Sequence, residues 1–378
     1  MTPWDDDAAV AAALAFGSLP NAGPSRLGWF CAQPDPVETW RRITHGARLD
    51  LRGWDPELAA SWKRAAGTVE PAELLRRHRD ARVDLLFAGS TAWPERLADD
   101  PGAPALLCTS GLPPDPERPS VGIVGTRRCT AYGRQIAAEL GQALAAVGVV
   151  VVSGLAAGID AEAHRAALAR GGPVVGVVAG GLDHPYPTRN RGLWQDVADK
   201  GWLVAEAPLG VRPEAWRFPL RNRIIAALSD VVVVVESGAT GGSLHTVREA
   251  ERRGRTVLAV PGPVTSAASQ GTNDLLADGC GPCRSVDDVL TALDLAHAGP
   301  GPRRGSSSTP SLLDAVPPGV GPDAERVLDV VGWGAVPLDV VVTSAGLTLV
   351  SALAAVEELC EAGVLHNDGG LLERKVGP

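Results

Sequence analysis

FPLRNRIIAALSDVVVVVES spans Phe218 to Ser237, and its reading sets the architecture. The second half runs five valines together, Val231 to Val235, with no polar residue between them. A strand that is apolar at every position is covered on both faces, as in a parallel sheet flanked by helices. The first half reads as a helix, with Pro219 suited to the first turn, where a missing N–H is no loss. Arg221 and Arg223 flank Asn222 in that turn, directly before the most buried-looking segment of the chain.

The same alternation extends in both directions. Apolar runs occur at VGIVG (121–125), VVVVS (149–153), PVVGVVAG (173–180), WLVAEA (202–207) and TVLAVPG (256–262). Between the first two, Ile136, Leu140, Leu144 and Val147 mark one face of a helix. The pattern predicts a Rossmann-like, doubly wound α/β sheet, mostly parallel, over residues 81–298. Ligands in such sheets bind beyond the carboxyl ends of the strands.

Nearly every expected strand ends in glycine and a polar residue. Gly125, Thr126, Arg127 and Arg128 follow the first, before a helix that Thr130 can cap; Ser153 and Gly154 follow the second. Gly180 and Gly181 follow the third, and Thr240 to Ser243 lie beyond the valine run. Glycine lets backbone N–H groups approach an anion closely, although tight turns also need it for steric reasons alone. Neither the dinucleotide fingerprint GxGxxG nor the phosphate loop GxxxxGK[ST] is present, so no cofactor is expected. What remains is a rim of anion-binding turns with Arg127, Arg128, Arg189, Arg217, Arg221 and Arg223 in or near them, which suits a phosphate chain. Residues two apart on a helix point about 200° apart, so Arg221 and Arg223 cannot both face one phosphate. The expectation is that one reaches the ligand edge while the other pairs with Glu206 or Glu236. Both arginines merely bracing loops is the alternative. Asp160 and Asp183 read as loop-bracing carboxylates, and His164 and His184 lack the fixed partners of a general base. No catalytic constellation emerges, and no metal site.

The flanks differ from this centre. Residues 1–80 read as short helices, and SLPNAGPSRLGWF places a Pro/Gly turn between two of them, as in a helix-hairpin-helix or SAM-like domain or a plain helical hairpin. Residues 299–322 are rich in Gly, Ser and Pro and form a flexible linker. Residues 323–378 read as three helices and a closing hairpin, the winged-helix order. The whole chain of 378 residues carries a net charge of −9, of which Asp323 to Pro378 supply −6. The third helix of that tail, from Thr348, contains Glu357, Glu358 and Glu361 and no Lys or Arg, so it is expected to contact protein or to regulate rather than to read DNA. No apolar run approaches the roughly 20 residues that span a bilayer. The acidic start MTPWDDDAAV is unlike a secretory signal, so a cytoplasmic location is expected. Six scattered cysteines suit a reducing compartment. Cys280 and Cys283 form the tetrapeptide CGPC, which reads either as a redox pair or as a loop of small residues.

In order and spacing, VGIVGTRRCTAYG, VVSGLAAGIDAEAH, VAGGLDHPYPTRN, FPLRNRIIAALSD, VVVVVESGATGGSLHT, GRTVLAVPG and SQGTNDLLADGC resemble the DNA-processing proteins of the DprA, or Smf, family. The resemblance covers about residues 81–290 and reaches the two flanks more loosely. It implies a non-enzymatic, homodimeric, cytoplasmic binder of single-stranded DNA. Such a protein protects incoming strands in natural transformation and helps load the RecA recombinase. It also implies a basic pocket for the DNA backbone at Gly125, Thr126 and Arg127, with Arg128 beside it. Ser153, Gly154, Asn190, Arg221, Asn222 and Arg223 match further family motifs. Two departures stand out: Cys280 replaces a usual alanine, and His245 a small aliphatic residue or Thr. TGGSLHTVREA also resembles the PGGxGTxxE loop of LOG-type nucleoside-monophosphate phosphoribohydrolases, with Glu249 as the acid. Ser243, Leu244 and His245 break that motif's Gly-Thr pair, and a pure protein scaffold would leave the arginine rim unexplained.

Overall fold

Five valines in a row divide between two cores. In the computed structural model, Val231, Val233 and Val235 point into one hydrophobic cluster, and Val232 and Val234 into another on the opposite face of the sheet. The structure describes residues 2–51, 53–297, 321–331, 336–362, 364–368 and 371–374. Residues 1–301 form one compact unit and residues 302–378 a second. The linker expected over 299–322 lies outside the described residues except for its last two positions.

The first unit begins with five helices: α1 (Asp7–Gly17), α2 (Pro24–Cys31), α3 (Pro36–His45), α4 (Pro56–Ala66) and α5 (Pro71–Asp80). Asp6, Asp35 and Asp55 cap α1, α3 and α4 by accepting backbone N–H bonds, and proline opens α2 to α5. Phe16, Phe30 and Trp62 belong to the same cluster as Val121, Val151 and Leu203 of the sheet.

The sheet contains β1 (Asp84–Phe87), β2 (Leu106–Gly111), β3 (Ser120–Val124), β4 (Val150–Ser153), β5 (Val174–Val178), β6 (Trp202–Ala205), β7 (Val231–Val234), β8 (Thr256–Ala259) and β9 (Gly281–Pro282). Their order is β1-β2-β6-β5-β4-β3-β7-β8-β9. Every pairing from β6 to β9 is parallel, whereas β2 runs antiparallel to both β1 and β6. The mostly parallel α/β sheet is therefore present. DLLF and LLCTSG are strands that carry no β-branched run, so local propensity does not mark them in the sequence. Helices α6 (Ala131–Ala146), α7 (Ile159–Ala169), α8 (Arg191–Lys200) and α12 (Val286–His297) cover one face. On the other lie α9 (Arg217–Ala227) and α10 (Ser243–Glu251), while α11 (Gln270–Ala277) follows β8. On α6, Leu140 and Leu144 are buried, but Val147 is 60% exposed because the helix ends at Ala146 and the face ends with it.

The chain winds from β3 to β6 in one direction, then returns to lay β7 against the other side of β3, in register from Val121 with Val231 to Val124 with Val234. The strand order reverses between β3 and β7. At such a switch point the loops leave the sheet in opposite directions and open a crevice.

In the second unit, α13 (Pro322–Val330), α14 (Leu338–Ala345) and α15 (Leu349–Glu361) pack on an antiparallel sheet. Its order is β10-β12-β11, from β10 (Val336–Pro337), β11 (Leu365–Asp368) and β12 (Leu371–Arg374). Val327, Val341, Val356, Leu359, Leu365 and Leu372 form its core.

Candidate nucleic-acid interface

The loop after β3 is held from below. A Cβ on Gly125 would fall 2.6 Å from Ile159 Cγ1, so the backbone can pass this close to α7 only without one. Thr126 N–H donates to Glu236 O at 2.7 Å, and Thr126 O accepts from Ile159 N–H at 3.3 Å. Thr130 caps α6, accepting from Gly133 N–H, while its own N–H and hydroxyl both donate to the buried Glu236 carboxylate at 2.9 and 2.5 Å. Two side chains are thereby left in solvent, Arg127 and Arg128. The Arg127 guanidinium lies 4.8 Å over the Phe218 ring, and Phe218 meets Tyr186 at 5.3 Å.

The α9 arginines point apart, as helical geometry requires. Arg221 is buried, and its Nη1–H donates to Val177 O at 2.5 Å. Burial pushes its pKa down to about 10, although the neighbouring Asp160 carboxylate works the other way. Burial likewise pushes the Asp160 carboxyl up, opposed by Arg221 and by the Gly154 N–H that Asp160 accepts at 3.1 Å. A Cβ on Gly154 would stand 1.8 Å from Arg221 Nη1, so this glycine makes room for the buried cation. Arg223 turns to the other side. Its Nη2 donates to both Glu206 oxygens at 2.6 Å, and its Nη1 to Gly102 O. Of the two carboxylates expected as partners, Glu206 holds Arg223 and Glu236 holds Thr130.

Gly125, Thr126, Arg127, Arg221 and Asn222 line one cleft of about 390 Å³, opposite Gly241, Gly242 and the first turn of α10. It lies at the carboxyl ends of β3 and β7, the switch point. Arg128 stands on the same loop outside the lining. The other four expected residues do not line it. Ser153 Oγ–H donates to Ile123 O at 2.5 Å. Asn190 Nδ2 donates to Leu155 O and Ala156 O at 3.1 and 3.2 Å, fixing a turn in which Leu155 takes a φ of 53°. Gly154 and Arg223 are engaged as described. The rings of Phe218 and Tyr186 were not singled out from sequence. The available signal was their rarity, since the chain has four Phe and two Tyr, and these two stand in arginine-bearing segments.

The cleft offers cationic and backbone groups to a ligand. The first turn of α10 lines it with the positive end of the helix dipole, Leu244 N–H and His245 N–H donating to Gly241 O and Gly242 O at 3.1 and 3.3 Å. Ser243 Oγ–H donates to Ser237 Oγ at 2.9 Å, and His245 stands exposed on the rim. Glu249 is outside the lining, its carboxylate held by Arg252 at 2.8 Å and Arg253 at 2.7 Å. Asp183 accepts Gly210 N–H at 2.9 Å, and His164 is buried with Nε2–H on Val175 O, its pKa pushed down to about 4 by burial. Burial pushes Cys280 up to about 11 and Cys283 up to about 12, the reverse of a reactive redox cysteine. Among the described residues no group of His, Cys, Asp and Glu could hold a metal ion, and no helix is long and apolar enough to cross a membrane.

Residues 84–294 match the family model of DNA recombination-mediator protein A. A DprA relative from Mycobacterium tuberculosis strain H37Rv is 41% identical over 249 residues, spanning 65% of this chain but only 61% of that protein. The crystal structure of DNA processing protein A from Streptococcus pneumoniae superposes with a TM-score of 0.56 at 31% identity, covering 64% of this chain and 83% of that one. A Helicobacter pylori DNA processing protein A, described for its single-stranded DNA binding mode, is similar at 29% identity and a TM-score of 0.50, over 57% of this chain and 96% of that one.

Proposed function

This chain belongs to the DNA recombination-mediator protein A family, and on that footing we propose that its cleft at the β3–β7 switch point grips the backbone of single-stranded DNA. One observation carries the reading. Arg127 lies on the cleft's lip over an aromatic ring, Arg221 stands in its wall, and the amino end of α10 faces both. The arginines and the positive end of the α10 dipole serve phosphate oxygens, while the Phe218 and Tyr186 rings offer a stacking surface for unpaired bases. The single-stranded DNA binding described for the Helicobacter pylori relative supports the same choice.

The test is a titration with single-stranded and duplex DNA of matched sequence over a range of salt concentrations. Affinity for the single strand should exceed that for the duplex and fall steeply with salt, because neutralised phosphates release counterions. A salt-independent affinity would overturn the reading. The nucleotide-hydrolase alternative loses its acid, since Glu249 is spent on two arginines. Release of ribose phosphate from AMP by the pure protein would restore it.

The family resemblance extends the proposal. We read the protein as a cytoplasmic homodimer, with accessory domains at 1–80 and 323–378 around a DNA-binding core at 81–298, that shelters incoming strands and loads RecA in natural transformation. The order α13, α14, α15, β11, β12 suits a winged helix. Strand exchange by RecA on DNA pre-coated with a single-strand binding protein, with and without this chain, tests the loading step.

A further inference from the structure

We infer that the outward face of α15 docks a basic, amphipathic segment of a partner protein. At 100° per residue, Ala352, Ala355, Val356 and Leu359 fall in one arc of roughly 100° and are buried. The adjoining outward arc, about 120° wide by the same geometry, carries Leu349, Val350, Leu353, Glu357 and Glu361, all exposed. On a surface helix such an arc is normally polar. Here Val350 is 78% exposed, Leu349 56% and Leu353 44%. Single exposed apolar residues need no explanation; three on neighbouring turns of one face do.

The rest of the stripe names the partner. Glu357 and Glu361 continue it, while Glu358 turns inward and accepts Gly321 N–H at 2.8 Å. Neither α14 nor α15 contains a Lys or Arg. A phosphate backbone laid here would meet carboxylates without a compensating cation. A second copy packed face to face would set these carboxylates against their own images. A helix with leucines on one side and lysines or arginines beside them satisfies both halves, as in helix-in-groove recognition.

The test uses the full-length chain and two fluorescent synthetic peptides, one of alternating leucine and lysine heptads and one with glutamate in place of lysine. The lysine peptide should bind and the glutamate peptide should not. Val350→Ser with Leu353→Ser, and separately Glu357→Lys with Glu361→Lys, should each weaken lysine-peptide binding about tenfold or more. Both variants should keep single-stranded DNA affinity within about twofold, because those contacts lie elsewhere. Equal binding of the lysine peptide to wild type and both variants overturns the inference. So does a matched loss of DNA affinity, which makes the face a nucleic-acid surface, or a fall in oligomer mass in sedimentation, which makes it a contact between copies.

Discussion

Arg127 and Arg128 stand on the β3–α6 loop in solvent, whereas Arg221 and Arg223, at the start of α9, are turned inside. Both pairs occur in motifs that read alike in the sequence, as arginine beside a small or polar residue. The difference lies in the partners. The Phe218 ring lies under Arg127 and the side chain is exposed, so its charge is available to a ligand. Arg223 is spent on Glu206 and Gly102, and Arg221 on Val177, with only part of its surface in the cleft wall. Arginine at a binding edge can thus attract the ligand or hold the edge in shape, and the two roles separate in experiment.

The largest effect should come from Gly154→Ala. Its Cβ must displace the buried Arg221 guanidinium from its bond to Val177 O beside Asp160, and unseating a buried charge costs on the order of 3–5 kcal/mol. Chemical denaturation should show a large drop in midpoint; a wild-type midpoint would break the claim that Arg221 is fixed inside. Next comes Arg223→Ala, which leaves Glu206 unpaired in a site where burial already raises its pKa. A loss of roughly 3 kcal/mol is expected, with single-strand affinity within about twofold of wild type at a temperature where the variant is folded. Arg127→Ala should show the reverse. Stability should change by less than about 0.5 kcal/mol, while single-strand affinity falls about tenfold for every sequence and the salt slope drops by about one. Loss on one sequence alone would make Arg127 a base reader.

The smallest effect concerns pH. Burial holds His164 at about 4 and lowers His78 as well. The unfolded chain therefore binds protons first as pH falls through about 6.5, and stability is lost from there toward 4. Glu206 acts in the opposite sense, because its raised pKa makes the folded state take up its proton first. Glu206→Gln should therefore steepen the acid loss, read as urea midpoints across that window. An unchanged slope would mean that Glu206 is not held as inwardly as Arg223 requires.

Much of this was legible in residues alone. Continuous apolar runs gave the parallel strands, because burial on both faces leaves no room for alternation. The glycine loops pointed to the edge where the cleft lies, since the winding places every βα turn there. The pairing of one α9 arginine with Glu206 was legible, because residues two apart on a helix diverge. The inward fate of Ser153 and Asn190 was not: their partners (Ile123, Leu155) come from distant strands and turns, and only the closed sheet brings them together. β1 and β2 escaped because tertiary pairing, not local propensity, makes DLLF extended.

The latch between Thr130 and Glu236 has a consequence for timing and heat. A rim fastened to its own strands has no folding left to do when a nucleic acid arrives. Only the strand gives up freedom, so association is set by diffusion and charge rather than by a slow rearrangement. Calorimetry should then record a small change in heat capacity, with the favourable entropy of released ions in place of the large ordering term of a disordered segment.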